Sequence, residues 1–523
     1  MRMGQVLVFD TTLRDGMKSP GTILTSGEKF RIAKQLVRLQ VDVLEAGFPA
    51  ASEEQYLLVE RIARELNGPV VSVLARATNP RDFEIAWRAV KSSAKPRLHT
   101  FVPVSREYRR HFLKKTADQA LDLGVSAVQM AKQYVSDVEF SLVDAFRADP
   151  EEVVQLVLAV IEAGATTVNL ADTVGCAVPT DVERLFRYLR RSVYRFDQIS
   201  FSIHCHNDLG LALANSITAI AEGATQVHCT VNGIGERAGN VALEELVAAL
   251  VTRSTEFKRQ VGTRLDQVYP TSRLVRRLTG IAVQPHKPVV GANAFMCETV
   301  VPQLADSTEN PPYQIINPDL FGIVNGNDQL TSETALSQFQ ERITELGYDL
   351  GEEELKKCYL AFMDLTARKE QVFDADLDLL VNTMTESGEK TRYRLLYLSV
   401  NAGSISVPNA TVQLEVEGEV IQDAGFGHGP VDAAFKTICR MAKHSPRLVR
   451  YELNAVTPGM DAQGEVAIRL EENGHLVSGR GVDSDIVMAS AKALVDGLNK
   501  LYSMTVQPVI SEFTDEESWM PRL

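Results

Sequence analysis

His204 and His206 stand one residue apart in the run FSIHCHND. In an extended strand alternate side chains share a face, so the two imidazoles point together while Cys205 points the opposite way. Two neutral imidazoles on one face can chelate a single first-row divalent ion, and a carboxylate with an amide oxygen would complete a mixed nitrogen and oxygen site with room for a substrate. Asp15, in TTLRDG, and Asn240, in ERAGN, are the candidates for those two donors. An ion held this way polarises a ketone carbon, and Arg14 beside Asp15 offers a fixed cationic fork to an anionic oxygen. An isolated H-x-H is more often incidental than a ligand pair. Here it ends an apolar strand-like run, which favours ligation.

Such residues need a frame that gathers them from distant parts of the chain. The first half alternates β-rich apolar runs with amphipathic helical stretches, the pattern of a parallel sheet with helical crossovers. Thr25 and Glu28 have the spacing of a capping box, and Ile32, Ala33, Leu36 and Val37 recur on one face, so a helix is expected to about Leu39, followed by a strand from Val41 to Glu45. Asp149 and Pro150 open another helix, which Gly164 ends before a strand from Thr167 to Leu170.

The candidate strands are VLVFD, VDVLEA, VVSVLA, RLHTFV, DVEFSL, TTVNLA, ISFSIHCH and TQVHCTV, eight in all. Eight parallel strands with helices between them are best closed as a (βα)8 TIM barrel, whose chemistry sits at the carboxyl ends of the strands. The polar residues obey that rule. Arg14 and Asp15 follow the first strand, Glu45 ends the second, Arg76 ends the third and His99 lies in the fourth. Ser141 ends the fifth, Asn169 and Thr173 the sixth, His204 and His206 the seventh, while Asn232 and Asn240 follow the eighth. A doubly wound sheet is the alternative, but it would not distribute polar strand ends so evenly.

The chain has 523 residues, too many for one core, and divides by pattern into a barrel at 1–260, a mixed linker and helical subdomain region at 261–395, and a C-terminal α+β domain at 396–523. The middle region contains Pro311, Pro312 and a helical run from Glu352 to Thr366. The last domain contains an internal echo, GFGHGPVDAAFKTI against GRGVDSDIVMASAKAL, each with a G-x-G turn leading to an apolar helix. A lone G-x-G is weak support for phosphate binding, so a duplicated strand-turn-helix unit is the preferred reading. A net charge of -14 disfavours nucleic acid or an anionic membrane as the main partner. Six scattered cysteines without a C-x-x-C pair indicate neither a disulfide framework nor a thiolate zinc site. With no apolar stretch of spanning length and no signal-like h-region, a cytoplasmic location is expected.

The segments FDTTLRDG, VLEAGFP, LARAT, RLHTFV, HCHNDLGLALANS, TVNGIGERAGN, TSRLV, VQPHKPVVGANAF and NAVTPGMDAQGEV resemble, in order, successive blocks of 2-isopropylmalate synthases, of the metal-dependent DRE-TIM superfamily. The resemblance covers nearly the whole chain. It implies Asp15, His204, His206 and Asn240 as ligands of a divalent ion (magnesium, manganese or zinc), Arg14 beside a developing enolate, Glu45 holding that constellation, and Tyr313 as a further catalytic group. It also implies a 2-oxo acid bound near Arg76, His99, Ser141, Asn169 and Thr173, condensed in a Claisen-type reaction with acetyl-CoA or another acyl-CoA. A homodimer with a C-terminal site for leucine or a related amino-acid effector is implied as well.

The chain departs from the family pattern at specific places. Met17 and Lys18 stand where Glu and Gln are usual in RDGEQSPG, Val143 where a Glu is usual in F-S-x-E-D, Pro302 where a His assists catalysis, and Ala171 where a Pro is usual. Valine and proline cannot transfer a side-chain proton, and loss of such a group typically costs ~10²–10⁴-fold. Two alternatives to condensation therefore stand: a carbon-carbon lyase acting on a 2-hydroxy acid, and a non-catalytic regulatory paralogue.

Overall fold

The computed structural model describes residues 4–194, 196–295, 315–323, 330, 334–346, 348, 350–366, 372, 376–377, 380–381, 384, 392–403, 405–455, 464–483 and 485–506. Tyr313 and Pro302 lie outside these residues. The described residues fall into two compact units, 4–323 and 330–506.

In the first unit β1 (Leu7–Asp10), β2 (Val43–Gly47), β3 (Val70–Arg76), β4 (Pro96–Pro103), β5 (Asp137–Val143), β6 (Thr167–Asp172), β7 (Ser200–Cys205) and β8 (Gln226–Cys229) form a closed parallel barrel in chain order. β8 returns to β1 with Phe9 opposite His228, which closes the ring. The eight strands are those expected from the sequence, and the closed ring excludes the doubly wound sheet. Val, Ile, Leu and Phe side chains between the strands and the surrounding helices make one continuous buried cluster.

Local signals place the elements. The helix α1 (Ser26–Leu39) begins at Thr25, whose hydroxyl accepts from the Glu28 amide while the Glu28 carboxylate accepts from the Thr25 amide. It ends at Gln40 in a left-handed conformation. The second strand starts at Val43 rather than Val41, because the Val41 amide still caps α1 by donating to the Leu36 carbonyl. The helix α2 (Pro150–Ala163) is capped by Asp149 and stopped by Gly164 at φ 109°, a conformation that glycine adopts without steric cost. Among the described residues no helix is long and apolar enough to cross a membrane.

The second unit contains α3 (Leu336–Glu345) and α4 (Glu352–Thr366), which share a small core with Phe339, Cys358 and Phe362 at its centre. It continues with two three-stranded antiparallel sheets, each followed by a helix. The first has β9 (Tyr393–Asn401), β10 (Asn409–Val416), β11 (Glu419–Phe426) and α5 (Pro430–Ala442). The second has β12 (Arg447–Ala455), β13 (Gly464–Glu472), β14 (His475–Asp483) and α6 (Ile486–Val506). The echo in the sequence is thus a duplicated βββα unit. Its second G-x-G is not a turn: Gly479 and Gly481 lie inside β14, where a β-carbon would collide with the backbone of α6. These glycines let a helix lie close on a strand.

Candidate metal centre

The turn after β1 brings the first charged residues to the barrel mouth. The Thr11 carbonyl accepts from the amides of Arg14 and Gly16 at 3.1 and 3.0 Å, folding TTLRDG back over the strand end. Arg14 donates from Nε to Glu45 Oε2 at 2.8 Å and from Nη1 to Asp15 Oδ1 at 3.0 Å. Thr11 Oγ1 donates to Glu45 Oε2 at 2.6 Å. Glu45 Oε1 lies 2.7 Å from His99 Nδ1, and His99 Nε2 lies 2.7 Å from Ser141 Oγ. Asn169 Nδ2 donates to Ser141 Oγ at 2.8 Å.

The polarity of this chain is fixed by its anionic end. Burial, the largest influence on Glu45, pushes its carboxyl up, but Arg14, His99 and His228 together hold it well below the usual carboxylate range. An ionised carboxylate only accepts, so His99 donates from Nδ1, and the Ser141 oxygen at its other nitrogen accepts from Asn169. Five residues from five strands or strand ends are thereby locked into one arrangement.

The second group converges on one point. His204 Nε2 and His206 Nε2 are 3.4 Å apart, and each lies within 3.8 Å of Asp15 Oδ2. All three residues are buried, and their ligand atoms lie within 4.8 Å of one another. Asp15 Oδ2 and Asn240 Oδ1 have no hydrogen-bond partner. Asn240 donates its Nδ2 to the Ile234 carbonyl at 3.0 Å, which turns the amide, and its backbone pairs with that of His206. His206 Nδ1 lies 3.2 Å from the Gly239 carbonyl, so its proton sits there and its Nε2 keeps a lone pair.

Electrostatics favour the same use. Burial drives both imidazoles below the usual histidine range, and in His204 the neighbouring His206 adds to the effect, so they remain neutral donors. Asp15 is pushed up by burial but carried well below its usual value by the neighbouring charges of Arg14 and Lys18. An orphaned buried carboxylate oxygen costs free energy unless a cation meets it. The two imidazoles, the carboxylate and the amide oxygen fit a divalent ion.

Other sequence candidates are placed differently. Arg76 is tied to Asp82 of the following helix by bonds of 2.7 and 3.0 Å, with its guanidinium over the Phe48 ring, and makes no bond to either group above. Thr173 accepts from the Asp144 amide at 2.8 Å and so braces the loop after β5. Asn232 faces Ser272, donating from Nδ2 to its carbonyl, and not the histidines. Val143 ends β5. Its neighbour Asp144 is occupied by Ser105 and Arg147.

The structure adds a polar layer the sequence reading passed over. Arg97 donates to Glu139 Oε2 at 2.8 Å, Glu139 Oε1 lies 2.7 Å from His228 Nε2, and Gln226 donates to the same carboxylate. His228 stacks on Phe9 and stands edge-on to His204, its register neighbour. The signal was in the alternation: Arg97 precedes His99, Glu139 precedes Ser141 and Gln226 precedes His228 by two residues, so each pair shares a face.

Residues 5–275 match a family model described as HMGL-like, and residues 371–502 match one described as the LeuA allosteric (dimerisation) domain. The 2-isopropylmalate synthase of Syntrophus aciditrophicus (strain SB) is 45% identical over 497 residues, covering 95% of this chain and 96% of that protein. Those of Heliobacterium modesticaldum and Carboxydothermus hydrogenoformans are 44% and 45% identical, each over 95% of this chain and at least 97% of their own length. A barrel with this strand-end chemistry, matched from end to end at such identity, places the chain in the 2-isopropylmalate synthase family.

Proposed function

We propose that the enzyme condenses acetyl-CoA with 2-oxoisovalerate and that water then hydrolyses the thioester to give 2-isopropylmalate and free CoA, a Claisen-type acyl transfer in the cytoplasm that serves leucine biosynthesis. The observation that carries the reading is the convergence of Asp15, His204 and His206, with a buried unpartnered oxygen on Asp15 and another on Asn240, whose backbone pairs with that of His206, in a chain that matches such synthases over 95% of its length. The same match favours condensation over the lyase and non-catalytic readings.

Those four residues hold the divalent ion, magnesium, manganese or zinc. Bound there, the ion acts as a Lewis acid that polarises the acceptor ketone. Arg14, fixed by Glu45 and Asp15 through Nε and Nη1, keeps Nη2 for a developing anionic oxygen. The ordered series Glu45, His99, Ser141 and Asn169 presents preset donors and acceptors beside it, and Asn169 Oδ1 is unpartnered and available to a ligand hydroxyl or amide. Thr173 acts through the loop that it braces, and Arg76 through Asp82. Tyr313 is proposed as a further catalytic group on the family pattern. The C-terminal domain, 396–523, binds leucine or a related amino acid and joins two chains, a reading supported by the LeuA allosteric (dimerisation) match.

The test is direct. Full-length protein, a divalent metal, acetyl-CoA and a panel of 2-oxo acids are mixed, with thiol release and product mass as readouts. 2-Isopropylmalate is the expected product. Thiol release with no acceptor dependence, or metal-dependent cleavage of a 2-hydroxy acid without condensation, would overturn the assignment.

A further inference from the structure

Asp15 is the only anionic donor among the proposed ligands, and its two oxygens are used unequally. Oδ2 faces the histidines without a partner, whereas Oδ1 meets both Arg14 Nη1 at 3.0 Å and Lys18 Nζ at 3.2 Å. Arg14 is balanced by Glu45 at 2.8 Å. Among the described residues Lys18 has in addition only Glu236, at 3.6 Å. It is 36% exposed while Asp15 is 2% exposed, so the ammonium sits at the mouth above a buried ligand.

Lys18 also ties together the two loops that carry ligands. It follows Asp15 in the turn after β1, and Glu236 lies in the 233–240 loop, where Asn240 is held by Ile234. Ser19 Oγ donates to the Gly235 carbonyl at 3.2 Å, a second link between the same loops. The connection therefore persists without Lys18, and what this side chain adds is a second positive charge, besides that of Arg14, on the one anionic ligand.

We propose that Lys18 is a positioning residue that couples metal to acceptor: it weakens the divalent ion at Asp15 in the free enzyme and opposes it less when an anionic 2-oxo acid is bound. The inference rests on the assigned metal site. A cation beside the ligand opposes a divalent ion, and a carboxylate arriving at the mouth offsets that opposition. By linkage, the ion then strengthens acceptor binding by the same factor.

The experiment titrates manganese into metal-free full-length protein by calorimetry, with and without 2-oxoisovalerate. Lys18→Gln should tighten manganese on the order of tenfold in the absence of acceptor, as expected for removing one partly solvated charge near a divalent ion, and should shrink the gain produced by 2-oxoisovalerate. Lys18→Arg should stay close to wild type, and Glu236→Gln, which leaves the cation in place, should not tighten. Unchanged or weaker manganese binding in Lys18→Gln overturns the proposal, since a purely structural link would only lose affinity. Equal tightening in Glu236→Gln overturns it too. Manganese binding that His204→Ala with His206→Ala abolishes upholds the metal site itself whichever way Lys18→Gln falls, whereas wild type that binds no manganese overturns both.

Discussion

A carboxylate buried at the end of β1 shows how closely charge is managed around the site. Asp10 accepts from the Thr12 amide and hydroxyl at 2.9 and 2.8 Å, yet burial pushes its pKa up to about 7, with Glu45 and Glu244 adding to the rise. A raised folded pKa means the folded state holds the proton where the unfolded chain has lost it. The associated stability is fully present below the unfolded value near 4 and is lost as pH rises through about 7. Asp10→Asn should therefore be less unfavourable at pH 8 than at pH 5, by about 2–3 kcal/mol, in denaturant unfolding at the two pH values. A pH-independent difference would contradict that. At this scale the H-x-H and the polar strand ends pointed to the proposed ligands, and the fold brings Asp15, His204 and His206 of that set together. It did not reveal that Arg76 is taken by Asp82 or that Lys18 reaches Asp15, because such pairings depend on loop paths and rotamers rather than on strand periodicity.

The barrel strands were legible because each is a short apolar run between helix-capping signals, and the closed ring needs only their order and parallel sense. Their ends were less so: the second strand starts two residues late because α1 borrows Val41 for its cap, and the second G-x-G of the last domain serves strand-helix contact rather than a turn. The end of β5 carries a consequence for rate. Val143 offers no proton-transfer group, and Asp144 beside it is held by Ser105 and Arg147, so neither is a free base. Val143→Glu should raise kcat for condensation by up to ~10²-fold with KM for the 2-oxo acid little changed, read from initial-rate thiol release. An unaltered kcat would place the base elsewhere.

At the scale of the whole molecule, a catalytic barrel and a duplicated βββα unit share one chain, and the second unit matches an allosteric domain model. Leucine should bind the full-length protein in calorimetry and lower kcat or raise KM for condensation. Absence of binding by leucine and other branched amino acids would leave that unit a structural role. The proposed condensation depends on the proposed centre of Asp15, His204 and His206 with Asn240. The decisive measurement is divalent-metal content, by elemental analysis after dialysis against limiting metal, of wild type and of His204→Ala with His206→Ala, alongside their unfolding transitions. The wild type should retain stoichiometric metal and condensation activity, and the double variant should lose both while its barrel unfolds cooperatively as before. Undiminished metal content in that variant would contradict the account.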